Sequence, residues 1–302
     1  PHIIAAAAVT RQEGSPGSSA TIATVKVSKN TTFNTGSTLI TVNGNLTVEA
    51  NQQAIPTAGN FIGVLITGTN TQLQTSINGT LTVKGKGGDD ASGSQQGVKL
   101  AAGGKILGGE GANAVMVVGT GGASSGSSNY GVWLTDANSR IFSLGGPVNV
   151  TGTGGGSGTS GGNVGVRVTS SGEITSAGGN VTVVGQGGLN ATGNSNSGIS
   201  VQASGKITSN DTGGNVTITG TGGGSGASAL NAGIFLADGE LSAGGSGTVD
   251  ITGQGGAGTG ISNNGLALEG LVTSKGGNIT LTGKLGGGSL GTYGIYMSKQ
   301  MS

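Results

Sequence analysis

Apolar residues recur along the chain in three columns that stay in phase. The first column is an apolar–x–apolar pair followed two residues later by Gly. It begins with Leu81-Thr82-Val83-Lys84-Gly85 and returns from Val115, Val148, Val181, Val216, Val249 and Ile279. Leu46-Thr47-Val48 has the same form, with Ala50 in the Gly position. The first positions, 46, 81, 115, 148, 181, 216, 249 and 279, are 35, 34, 33, 33, 35, 33 and 30 residues apart. A second column opens on Gly: Gly63-Val64, Gly97-Val98, Gly131-Val132, Gly165-Val166, Gly198-Ile199, Gly233-Ile234, Gly265-Leu266 and Gly294-Ile295. A third is Leu73, Ile106, Ile141, Ile174, Ile207, Leu241 and Val272. A fixed period of this size marks stacked structural units.

Within each unit the apolar residues alternate with polar ones, as in a half-buried strand. Val181-Thr182-Val183, Ile199-Ser200-Val201 and the stretch around Ile207 give three short strands per repeat. Their β-branched residues suit strands, and Gly, Ser, Asn and Thr clusters between them suit turns. No segment has a helical period, apart from Ala5 to Ala8, which is too short to judge. Strands that recur in phase pair in parallel with their counterparts one repeat away. The prediction is an all-β fold, a right-handed parallel β-helix (solenoid) of about nine rungs of ~33 residues, three short strands each. Its rise is about 4.7–4.9 Å per rung. Roughly five inward side chains per rung, each contributing about 1.5–3 kcal/mol, make a usable core before chain entropy is subtracted. Residues 1–45 read as an irregular first rung with an N-terminal strand that completes a neighbouring copy. Residues 46–302 read as one body of regular repeats. The Gly-rich stretches Gly152 to Gly162 and Gly220 to Gly226 have no apolar column and predict a loop or tight Gly arc on one edge.

Composition supports a solenoid and narrows its chemistry. Gly is 69 of 302 residues, aromatics are 3% and charged residues 8%. Without a Gly-X-Y period this is not collagen, and a disordered low-complexity chain would not keep three apolar columns in register. The net charge of +1 gives no reason to expect nucleic acid. No run of about 20 apolar residues spans a membrane, and no full signal peptide is present. There is no Cys, and His2 is the sole histidine. That leaves no Cys–His or Ser–His–Asp nucleophilic site and no His/Cys metal site in any ordinary form. The twelve acids are dispersed. Asp136 and Asp238 share a column three rungs apart, about 14 Å, too far for a general acid/base pair across one bond. Asp89-Asp90 sits in a Gly/Ser loop and reads as a solvated turn before a calcium site. The strings of Gly lack the Gly-Lys-Ser/Thr and following helix of a phosphate loop. No enzyme activity, cofactor or metal is expected.

The outward positions carry the remaining candidates. Lys105, Arg140, Glu173, Lys206 and Glu240 precede the third apolar column on successive rungs, which predicts an inter-rung salt-bridge ladder more than a binding stripe. Between the apolar residues of strand two lie Leu65, Lys99, Trp133, Arg167, Ser200, Phe235, Ala267 and Tyr296. Trp133, Arg167, Phe235 and Tyr296 are the candidate surface or glycan contacts, with Trp133 and Arg167 placed to stack as a cation–π pair. Strand one is Thr-rich outside, but only Thr217/Thr219 and Thr280/Thr282 complete a Thr-x-Thr pair of the kind seen on ice-binding β-helices. Asn45, Asn180, Asn215 and Asn278 precede strand one and predict an Asn ladder at the turn. With Asn149 they also form Asn-x-Thr sequons.

Three segments carry a family resemblance: Gly179-Asn180-Val181-Thr182-Val183, Gly214-Asn215-Val216-Thr217-Ile218-Thr219-Gly220 and Gly277-Asn278-Ile279-Thr280-Leu281-Thr282-Gly283. They resemble the repeats of filamentous-haemagglutinin-like exoproteins and related bacterial surface adhesins, over roughly residues 46 to 297. The family's repeat is usually shorter, and no clear version of its N-terminal secretion domain is seen. The resemblance implies a secreted or surface-anchored bacterial rod.

The ends add an expectation about assembly. The sequence stops soon after strand two of its last repeat, at Met297-Ser298-Lys299-Gln300-Met301-Ser302. Ile3 and Ile4 are in phase to provide the missing third strand of a preceding copy, and Val9 aligns with strand one. Ile3, Ile4, Val9, Ile295 and Met297 are therefore the expected contacts of a head-to-tail homopolymer. The expected function is a non-enzymatic extracellular or cell-surface fibre subunit. The alternatives are a segment of a longer secreted adhesin rod that binds glycans or a host surface, and an ice-binding or carbohydrate-active β-helix.

Overall fold

The computed structural model describes residues 22–109, 115–210, 213–288 and 290–298. The first strands of successive rungs form one nine-stranded parallel sheet. They are Ala23–Val27, Leu46–Ala50, Leu81–Lys86, Val115–Thr120, Val148–Thr153, Val181–Gln186, Val216–Thr221, Val249–Gln254 and Ile279–Lys284. The second strands are Thr31–Phe33, Val64–Thr67, Val98–Ala101, Val132–Leu134, Val166–Val168 and Ile199–Gln202, ending with Ile295–Met297. The third are Thr38–Thr41, Gln72–Thr75, Lys105–Gly108, Arg140–Ser143, Glu173–Ser176 and Lys206–Ser209. In rungs seven and eight the second and third strands run together as Ile234–Ala243 and Leu266–Ser274, which joins both columns into one fifteen-stranded sheet. The described residues form a parallel β-solenoid of eight three-strand turns, with strands one and two of a ninth.

Register is strict because the apolar period is strict. Val148 pairs with Val181 and Val181 with Val216, Ile174 pairs with Ile207, and Ile199 with Ile234. A one-residue slip would turn every buried side chain outward. Rung six shows the filling: Val181, Val183, Ile199, Val201 and Ile207 are all fully buried. Rung one is paired in register with rung two, but only residues 28–30 join its first two strands.

The Gly-rich stretch after strand one is a tight arc, stacked from rung to rung into a second lobe. Two Gly columns make its neck. A Cβ on Gly152 would overlap the carbonyl oxygen of Gly165, and one on Gly165 would overlap the amide of Gln186. The main chains entering and leaving the lobe therefore touch, as only Gly allows.

The lobe holds a buried ladder of amides. Asn129 donates to Asn163 at 3.0 Å, Asn163 to Asn196 at 2.9 Å, Asn196 to Asn231 at 3.2 Å and Asn231 to Asn263 at 2.8 Å. Each acceptor oxygen also takes the backbone N–H of the preceding Asn. All five side chains are shut off from solvent. Backbone bonds run alongside, such as Gly155 N–H to the Asn129 carbonyl and Gly188 N–H to the Asn163 carbonyl, both 2.8 Å. The molecule thus has an apolar core in its body and a hydrogen-bonded polar core in its lobe, where buried amides are satisfied by their own repeats.

Candidate binding groove

The lobe projects beside the outer face of strand two, and the angle between them is a concave corner along the rod. Two side-chain columns fill or vacate it. One is the residue just before the second Gly: Gln96, Tyr130, Val164, Ser197, Ala232, Asn264 and Tyr293. The other is the outward residue of strand two, whose members Lys99, Trp133, Arg167, Ser200, Phe235, Ala267 and Tyr296 are paired in register from rung three to rung nine. Large side chains occupy both columns at rung four. Across rungs six to eight the corner holds Ser197, Ser200, Ala232, Asn264 and Ala267, with Phe235 as the one bulky exception. Tyr293 and Tyr296 close it at rung nine. The vacated corner is a groove of about 480 Å³.

The upper end is a compact aromatic and cationic cluster. Lys99 Nζ lies 4.0 Å from the centre of the Trp133 ring, and Tyr130 meets Trp133 edge-on with ring centres 5.2 Å apart. Burial draws the Lys99 ammonium below the ordinary lysine range, partly offset by the Asp136 charge. The expected Trp133–Arg167 stack is replaced by a different pairing. Trp133 and Arg167 are register partners, but the guanidinium lies 5.1 Å over the Tyr130 ring and donates to the Tyr130 hydroxyl at 2.7 Å. The reason is chemical: a phenol oxygen accepts a hydrogen bond, whereas indole only donates. Trp133 Nε1 and Arg167 Nε are buried without a hydrogen-bond partner.

Of the four aromatic-column candidates, Arg167, Phe235 and Tyr296 line the groove, and Trp133 packs in the cluster above it. Sequence reasoning missed Tyr130 and Tyr293, which sit in phase just before the second Gly column, and Gln202 and Glu269, two residues beyond the aromatic column. Tyr293 and Tyr296 stack at 5.8 Å with their planes tilted by 33°.

The other candidates fall elsewhere. Ile295 and Met297 pair with Leu266 and Leu268 on the last described rung. Ile3, Ile4 and Val9 lie outside the described residues. The charged column forms separate pairs in place of a continuous ladder: Arg140–Glu173 at 2.7 Å and Lys206–Glu240 at 2.9 Å, with Lys105 in register beside the like-charged Arg140. The Asn ladder expected before strand one is present in part. Asn45, Asn180 and Asn215 accept from the backbone amides of Thr80, Asn215 and Thr248 one rung on. Thr217/Thr219 and Thr280/Thr282 share the outer face of the nine-stranded sheet, but Asp250 interrupts them. Asp90 accepts from the Ser92 amide two residues on, as a turn carboxylate does, and Asp89 accepts from the Gly59 amide of the neighbouring rung.

Among the described residues no three His, Cys, Asp or Glu side chains gather as a metal set, and no helix is long and apolar enough to cross a membrane. Comparison with protein-family models, curated proteins and solved structures gives no match to this chain.

Proposed function

We propose that this chain is a non-enzymatic structural element of an extracellular, bacterial surface fibre or adhesin, a rod that extends by stacking head to tail. The observation that carries this reading is the state of the last described rung. Val249, Ile251, Leu266 and Leu268 are buried on rung eight. Their register partners on rung nine are uncovered: Ile279 and Leu281 are half-buried, and Ile295 and Met297 are 39% and 42% exposed. Among the described residues each strand of rung nine is paired on one side only. Such an edge is a template for another strand. A further parallel rung of the same period, from this polypeptide or from a second copy, covers both the apolar ends and the open hydrogen bonds, and the head-to-tail reading takes it from a second copy. Contacts of this heterologous kind make a filament when the rotation does not close a ring.

The lack of Cys and the adhesin-like Gly-Asn-apolar-Thr-apolar segments support an exported bacterial rod. Negative-stain micrographs and sedimentation of the purified chain test the assembly. Fibres that lengthen with concentration are expected. Monodisperse, stable monomers over the whole concentration range would count decisively against it.

A further inference from the structure

The corner groove has features that a merely structural rod does not require, and they are independent of whether the rod polymerises. Apart from Phe235 at rung seven, both side-chain columns become small over the same three rungs, and both are large again at rung nine. The gap runs from Arg167 at rung five to Tyr296 at rung nine, four rises or about 19 Å. Its volume of about 480 Å³ lies in the range of small-molecule sites, about 300–1,000 Å³.

The floor limits what the groove can hold. Its strands at rungs six to eight are paired on both sides, so no backbone edge is free to take a peptide by strand addition. Recognition has to come from side chains. Phe235 rises from the floor between the small Ser200 and Ala267, and Tyr293 and Tyr296 stand at the lower end. Flat rings facing an open channel suit the C–H faces of pyranose rings. Gln202 and Glu269 lie along the same channel with donors and acceptors for hydroxyl groups, and the upper end carries Arg167, whose Nε lacks a partner. Among the described residues one cation and one carboxylate line the groove, so they set up no single-sign field for a polyanion.

We propose that this groove is a binding site for a short, linear, uncharged oligosaccharide. The rings of Phe235, Tyr293 and Tyr296 stack on successive sugars, and Arg167, Gln202 and Glu269 hydrogen-bond the hydroxyls. Trp133 belongs to the packing cluster above and makes no sugar contact.

Titration calorimetry of the intact chain tests this, with cello-, chito-, xylo- and malto-hexaose as probes and a heparin hexasaccharide and a proline decamer as contrasts. Saturable binding of at least one neutral hexaose is expected. Phe235→Ala and Gln202→Ala should each weaken it at least tenfold. Ala267→Trp, which fills the channel from its floor, should abolish it. Circular dichroism checks that each variant keeps its β spectrum, and Gln202→Ala retains the test if Phe235→Ala does not fold. Failure of all four neutral hexaoses overturns the proposal. So does binding only of heparin or of the proline peptide, or unchanged affinity in Ala267→Trp.

Discussion

Asn163 donates its side-chain amide to the side-chain oxygen of Asn196 at 2.9 Å, from one rung to the next, with neither residue exposed to solvent. The Asn196 oxygen also takes the Asn163 backbone N–H at 3.1 Å, and the Asn196 amide donates to the Gly193 carbonyl at 2.6 Å. One side chain therefore satisfies groups on two rungs. Asn196→Ala should lower stability by on the order of 3 kcal/mol, because it leaves buried donors on Asn163 and an acceptor on Gly193 without partners. Asn196→Asp should be no better, since it removes the donor and brings a charge into the ladder. Chemical denaturation of the two variants against wild type checks both.

The neck of the lobe gives a second, steric expectation. Gly152 meets the Gly165 carbonyl, and Gly165 in turn meets the Gln186 amide. Gly152→Ala must push two main chains apart where strand pairing fixes both. The expected cost is about 1–3 kcal/mol, as for other overpacked sites, and more where the backbone cannot shift. Gly158 is the control for space, because a Cβ there meets no atom within 4 Å. Its φ of 54° adds only the left-handed penalty. Thermal melts of Gly152→Ala and Gly158→Ala should separate steric overlap from backbone strain.

These two sites also show what the sequence made legible. The apolar columns announced strands, register and core, because burial on one face writes a period of two into the residues. The Gly arc on one edge was legible, but its buried core was not, because that core is polar, and Asn and Gly also mark ordinary loops. Its signal was present as Asn-x-Gly at Asn129, Asn163, Asn196, Asn231 and Asn263, in phase with the second Gly column. The groove was half legible. Strand alternation pointed Arg167, Phe235 and Tyr296 outward, but Tyr293 enters from the wall, and the wall exists only because the lobe folds back on itself. The Arg167 partner was missed for the same reason, since Tyr130 lies just before the strand.

Ion pairs between rungs set an acid dependence. Glu240 is pulled two ways: burial raises its pKa, while hydrogen bonds from Lys206 and from the Ser242 hydroxyl at 2.7 Å lower it further, leaving it below the ordinary glutamate range. Glu49 is lowered by its hydrogen bond with Lys26 and by Lys84, against the effect of burial. A carboxylate depressed in the folded state stabilises the fold above its unfolded pKa of about 4.3, and that contribution is lost as pH falls through the lower folded value. Lys206 is raised by its hydrogen bond to Glu240, so its contribution is full below about pH 10.4 and is lost as pH rises through the higher folded value. Melting temperatures should fall below about pH 4.3. Glu240→Gln should flatten that limb while costing no more than about 1 kcal/mol at neutral pH.

The exposed edge of rung nine offers a separation between folding and assembly. Met297 is the register partner of Leu268, one rung below it, and the two differ mainly in cover: Met297 is 42% exposed and Leu268 2%. A lysine at Leu268 buries a charge inside the solenoid, where its amine has no partner, and should unfold the neighbouring rungs. A lysine at Met297 can extend its amine to water from an open core end, so the rod itself should keep its β spectrum and its melting temperature. The same charge blocks a further apolar rung, because stacking would then bury it. Met297→Lys should therefore abolish fibres and leave soluble single rods, measured by sedimentation velocity and electron microscopy side by side. If the variant still forms fibres of wild-type length, the edge at Met297 is not the assembly surface. If it instead melts early, the edge is already covered within the folded chain.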